Sequence, residues 1–141
     1  MYGSIKEKKG NIFYHINMSE IIEAQKEIGV IIPNDLKLFY KEVGYGFLKS
    51  EIDNFNRVMD PGSVCDFRLR KGQFANDPDL EMYLEYENDK LIFFEVCEGY
   101  FFSIGFSKAN YGKIFDGEKI IADNLGQFLT KYQDNERFFV E

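Results

Sequence analysis

Tryptophan is absent from these 141 residues, histidine occurs once and cysteine twice. These shortages exclude several chemistries. With His15 alone, no catalytic metal site can be built from imidazoles, and neither cysteine nor any serine has a base nearby in sequence for nucleophilic catalysis. Cys65 and Cys97 stand far apart, in no CxxC or Cys/His spacing, and read as unpaired buried thiols. No window approaches the run of about eighteen apolar residues that a membrane span needs. The N-terminal MYGSIKEKKG carries basic residues with no apolar stretch behind them, so no export signal is visible and the expected location is cytoplasmic. A phosphate loop is lacking too: Gly44-Tyr45-Gly46 follows a helix instead of opening one, and Gly99, Gly105 and Gly112 have the wrong intervals. Counting leaves a carboxylate-based hydrolase or an oxygen-ligand cation site open, although DNFN (Asp53–Asn56) and NDPDLE (Asn76–Glu81) lack calcium-loop spacing. No metal and no cofactor is expected.

What is present is an apolar fraction of 45% with 17% aromatics, 15 of them Phe and 9 Tyr. That suits one domain with a substantial core and argues against disorder. The 24 acidic and 17 basic residues leave a net charge of −7, which speaks against the nucleic-acid backbone as a direct partner. The charge is concentrated. Gly72–Glu98 holds Asp77, Asp79, Glu81, Glu85, Glu87, Asp89, Glu95 and Glu98 against Lys90 alone, and the rest of the chain is neutral. Such a run is either a docking surface for a basic partner or a solvated face.

The chain reads in order as follows. Residues 1–12 are polar and loosely held, with Ile12–Tyr14 a short strand. Asn17 and Glu20 form a capping-box pattern for a helix through Met18, Ile21, Ile22, Gln25 and Ile28, stopped by Gly29. In VIIPNDLKLFYKEVGYGF (Val30–Phe47), Leu36, Phe39, Tyr40 and Val43 line one face of a second helix, capped by Asn34 and stopped by Gly44. Two helices so tightly joined are expected to pack as a pair. Phe47-Leu48 and Phe55–Met59 read as strands, the latter closed by Asp60-Pro61-Gly62 as a turn. Val64–Leu69 is strand or helical turn, and residues 71–79 an irregular loop. Glu81–Glu87 alternates charge with Met82, Leu84 and Tyr86, as a strand with one wet face does. Leu91–Cys97, Tyr100–Phe106, Lys113–Phe115 and Glu118–Ala122 form a four-strand meander, followed by a helix from Asn124 to about Tyr132. Phe93/Phe94 and Phe101/Phe102 place aromatics on both faces of the sheet, so one face is expected under helices and the other only partly covered. The fold class is α+β: a largely antiparallel sheet of about six strands with two N-terminal helices and one C-terminal helix.

Against that order, EIG (Glu27–Gly29) followed by IPNDLKLFYKEVGYG (Ile32–Gly46) resembles the N-terminal signature of the SUKH superfamily, which includes yeast cell-wall synthesis regulators and many bacterial immunity proteins. NRVMDPGSV (Asn56–Val64), EVCEGYFFSIGF (Glu95–Phe106) and IIADNLGQFL (Ile120–Leu129) are similar to its Asp-Pro segment, its central strands and its last helix. Phe101-Phe102 stands where members often carry tryptophan, and Tyr45 interrupts a break that is commonly Asn-Gly-Gly-like. The resemblance implies one domain over residues 1–141, with its core at about 12–140, and a signature of Pro33, Phe39, Tyr40, Gly44, Gly46, Asp60 and Pro61. It also implies a non-enzymatic protein-binding module, in bacteria most often an immunity protein that neutralises a cytotoxic effector. The 13 Lys against 4 Arg, with many Ile, Asn and Phe, suit an AT-rich bacterial gene. The expected partner is a cognate toxin, basic and nuclease-like, docked on Asp77, Asp79, Glu81, Glu85, Glu87 and Asp89, with Tyr83 and Tyr86 as anchors. The alternative is a regulatory or scaffolding module. If the acidic run is only solvated, the interface belongs on the aromatic sheet face or near Gly44–Phe47, where a homodimer could also form.

Overall fold

Short aromatic and β-branched runs separated by glycine turns favour a meander, and the sheet is one throughout. The computed structural model describes residues 1–140. Strands β1 (Ile12–Tyr14), β2 (Tyr45–Leu48), β3 (Asn56–Val58), β4 (Lys90–Val96), β5 (Tyr100–Gly105), β6 (Ile114–Asp116) and β7 (Lys119–Ala122) pair antiparallel in chain order, seven strands where about six were expected. The helices are α1 (Gly3–Glu7), α2 (Met18–Ile28), α3 (Asn34–Glu42), α4 (Pro61–Leu69) and α5 (Leu125–Asp134), with 3-10 segments at Gly72–Phe74 and Pro78–Tyr86.

The register fixes two faces. Phe13, Gly46, Val58, Phe94 and Phe102 align across β1 to β5 on one of them. That face is buried: Phe13 packs on Phe39 of α3, and Phe94 and Phe102 pack on Phe128 of α5. Ile12, Phe47, Arg57, Glu95 and Phe101 align on the other. Here α4 and the 3-10 segments cover only the β4–β5 end, where Phe101 meets Phe67, Phe74 and Tyr83 at ring distances of 4.8–6.0 Å. Phe93, Phe94, Phe101 and Phe102 are therefore all core, and the half-covered part of the sheet lies instead at β1–β3.

Several local expectations change. Asp60-Pro61-Gly62 opens α4 instead of closing a hairpin: Asp60 accepts from the Ser63 amide at 3.3 Å and its hydroxyl at 2.6 Å, with Pro61 in the first turn. Aspartate at the cap followed by proline is a helix start as well as a turn signal. Pro33, not Asn34, occupies the cap of α3, and the Asn34 amide donates to the Tyr111 hydroxyl at 2.9 Å. The α2 capping box is present, with the Asn17 amide donating to Glu20 at 2.8 Å. Instead of pairing mainly with each other, α2 packs on α4 and α3 meets α5. Residues 1–12 are anchored, with Tyr2 and Ile5 of the N-terminal turn inside the core.

Gly44 and Gly46 owe their place to β1. Their φ angles are +109° and +147°, and a Cβ on either would fall 1.9 Å from the Tyr14 carbonyl oxygen or 2.1 Å from that of Ile12. Only a residue without Cβ lets the two backbones come that close. The Gly-Tyr-Gly break thus ends α3 and seats the edge strand in one step.

Candidate functional site

The acidic run does not form the strand that its alternation suggested. Pro78–Tyr86 winds as a 3-10 helix, in which side chains three apart share a face. Leu80 and Tyr83 point inward, and Met82 and Leu84, expected inside, stand outward at 55% exposure each. Alternation of apolar and charged residues was compatible with either backbone; Pro78 after Asp77, whose carboxylate accepts from the Asp79 amide at 3.0 Å, was the sequence signal for a helical start.

Two of the eight predicted partner-binding residues are not on the surface. Tyr83 is 3% exposed, its ring edge-on to Phe67 and Phe101, and its hydroxyl accepts the Phe101 amide at 3.1 Å. Burial raises its pKa, with that amide bond opposing. Tyr83 is a core anchor of the segment and cannot also be a docking anchor. Glu87 is 7% exposed and accepts from both terminal nitrogens of Arg70, at 3.2 and 2.7 Å. Burial raises the Glu87 pKa, and Arg70 offsets part of the rise. Asp89 is partly paired, with Lys90 Nζ at 2.9 Å. Tyr86 is half-buried, its ring about the Gly117 turn.

Asp77, Asp79, Glu81 and Glu85 are exposed along the same segment as Met82 and Leu84, and the 3-10 winding sets Asp79, Met82 and Glu85 on one face and Glu81 and Leu84 on the next. The result is a ridge on which each exposed apolar side chain has carboxylates on its own face. It rests on a fixed base, because Arg70, at the C-terminal end of α4, donates to the Leu80 and Phe67 carbonyls and stacks 4.6 Å from the Phe67 ring centroid while holding Glu87. Arg68 braces the far end, donating to the carbonyls of Glu87 at 2.8 Å and Lys90 at 3.3 Å. Sequence reasoning found the charge but missed Met82 and Leu84.

The site contains no reactive constellation. Both cysteines are free, but only Cys65 is buried as expected, its thiol pushed up to about 11, first by burial and then by Glu27; Cys97 is exposed, because it falls in the turn between β4 and β5. Among the described residues, no group of three or more His, Cys, Asp or Glu is arranged to hold a metal ion, and no helix is long and apolar enough to cross a membrane.

The frame of the molecule is an antiparallel sheet entered through a proline-capped helix and a glycine break. The chain belongs to the SUKH_6 family, described as SMI1-KNR4 cell-wall, whose family model matches residues 18–129. This is a non-enzymatic family. The chain is also 45% identical over 140 residues to Immunity protein YxxD of Bacillus subtilis (strain 168), a match covering 99% of this chain and 95% of that protein. No solved structure matches it significantly.

Proposed function

We propose that this protein is an immunity protein that binds a cognate toxin in the cytoplasm and neutralises it by covering its active surface. The likeness to Immunity protein YxxD along nearly the whole of both chains supports the immunity role. The observation that carries the mechanism is the ridge, where Met82 and Leu84 stand exposed within Asp77, Asp79, Glu81 and Glu85 on a buried base. Apolar anchors inside a charged rim are the anatomy of a protein interface, the anchors supplying affinity and the rim steering encounter. A carboxylate rim selects a basic surface, and the substrate cleft of a nuclease is such a surface. The partner is accordingly a basic, nuclease-type toxin, with no direct contact to nucleic acid.

Co-expression with the toxin gene encoded beside it tests the role through growth and co-purification. Protection and a stoichiometric complex are expected. A toxin that still kills and does not co-purify would overturn the proposal in favour of a scaffolding module. For the mechanism, Glu81→Lys/Glu85→Lys folds normally and slows association at low salt, and high salt slows the parent in the same way, since added ions shorten the steering range to about 8 Å at physiological strength. Unchanged association in the reversed form would show that the ridge is only solvated. Glu87 must be left out of such a reversal because it is buried against Arg70.

A further inference from the structure

Tyr2 is 3% exposed, and its hydroxyl has no hydrogen-bond partner among the described residues. A buried hydroxyl is costly to leave unpaired, and native structures keep such a group where something else supplies the bond. Its direction follows from α3. Asp35, Phe39 and Glu42 fall at i, i+4 and i+7, on one face of that helix. The Tyr2 amide donates to Glu42 at 2.8 Å, and the Tyr2 ring meets Phe39 edge-on at a ring distance of 5.3 Å. The side chain thus runs along α3 from Glu42 toward Asp35. It aims its hydroxyl into a cavity of about 390 Å³ that Tyr2 and Asp35 both line, with Leu129, Thr130 and Gln133 of α5 and Ile5 of α1 as further wall.

The charges in that wall decide what fits. The amino group of Met1 also lines the cavity, but Glu42 already neutralises it at 2.9 Å. Asp35 is half-buried and takes part in no ion pair among the described residues. Its carboxylate is the uncompensated charge of the cavity and repels an anion. The start of α5 does not reverse this preference, because its capping Asn124 already takes the Gln127 amide at 2.8 Å. A primary ammonium matches the remaining acceptors, since its three N–H donors diverge as they do. These are the Asp35 carboxylate, the Tyr2 hydroxyl oxygen and Thr130 Oγ1, whose own proton goes to the Gly126 carbonyl at 3.1 Å. Burial, and then the Asp35 and Glu42 carboxylates, push the Tyr2 pKa up to about 12, so the phenol stays neutral and keeps its lone pairs for a donor. Ile5 and Leu129 offer apolar surface to a short methylene stem.

We propose that this cavity binds a small aliphatic primary ammonium, held by the Asp35 carboxylate and the Tyr2 hydroxyl, with its stem against Ile5 and Leu129. The site is independent of the ridge and of the toxin.

The test titrates diaminobutane into the full chain at physiological salt and follows amide and aromatic chemical shifts. Butanoate and butanediol are the controls, and a capped lysine dipeptide is a second ammonium. Shifts at Tyr2, Asp35 and Thr130 that neither control produces are expected. Asp35→Asn, which keeps the shape of the side chain, weakens binding about tenfold or more, and Tyr2→Phe weakens it about threefold to tenfold. Because the hydroxyl is unpartnered, Tyr2→Phe leaves the thermal midpoint of the free protein unchanged or raises it, which a structural hydroxyl would not allow. Cavity shifts with diaminobutane alone assign the site to a free diamine, and cavity shifts with the lysine dipeptide assign it to a lysine side chain; both support the ammonium site. Shifts confined to the ridge, an equal response to either control, full binding by either variant, or a lowered midpoint of ligand-free Tyr2→Phe would overturn the proposal.

Discussion

Removing Arg70 should be among the most damaging single changes outside the aromatic core. Arg70→Ala leaves the Glu87 carboxylate, 7% exposed, without its counter-charge, and strips donors from the Phe67 and Leu80 carbonyls. Breaking a buried ion pair by deleting one partner costs about 3–5 kcal/mol. The Arg70 side chain retains 23% of its exposure, so the lower end applies, and the lost stacking on Phe67 adds about 0.5–1 kcal/mol. The expected loss is about 3–4 kcal/mol, a large share of the roughly 7–20 kcal/mol that a chain of this length holds. Urea unfolding at neutral pH measures it. Arg70→Met/Glu87→Leu should recover to within about 1–2 kcal/mol of the parent, because removing both charges leaves nothing unpaired. The sign with pH follows from Glu87. Its folded pKa lies above the ordinary value through burial, and loss of Arg70 raises it further. A raised carboxyl pKa favours the folded state fully below the unfolded value of about 4.3 and loses that contribution as pH rises through the folded value. The deficit of Arg70→Ala should therefore shrink from neutral pH toward pH ~4.5. A loss below about 1 kcal/mol, or a deficit that grows on acidification, would refute the reasoning.

Other changes test the frame and the thiols. Gly46→Ala sets a Cβ against the Ile12 carbonyl at φ +147° and should cost more than about 2 kcal/mol in urea while freeing β1; a loss within about 0.5 kcal/mol would mean the glycine is not required. Tyr40→Phe deletes a 2.6 Å bond to the buried Met59 carbonyl and should lower stability by about 1–2 kcal/mol, read from the thermal midpoint. In native protein, iodoacetamide should label exposed Cys97 before buried Cys65, whose thiol is held up at about 11; mass spectrometry reads the order, and equal rates would contradict the burial of Cys65.

The elements with a single reading were legible from sequence: α2 and α3 with their apolar stripes, β4 to β7 with their turns, and α5 after Asn124, whose side chain accepts the Gln127 amide at 2.8 Å. The misreadings fell where one residue pattern serves two backbones. Asp60-Pro61 is both a turn and a helix cap, and the next residues settle it only through packing, as Phe67 drops onto Phe74, Tyr83 and Phe101. Glu81–Glu87 alternates with period two over too few residues to exclude period three. The result was an inversion that put Met82 and Leu84 outside and Tyr83 and Glu87 inside. Burial of Glu87 was invisible because Arg70, its partner, lies seventeen residues away. The stretch near Gly44–Phe47 could be named from sequence, but not its pairing with Ile12 and Tyr14, which is a matter of register.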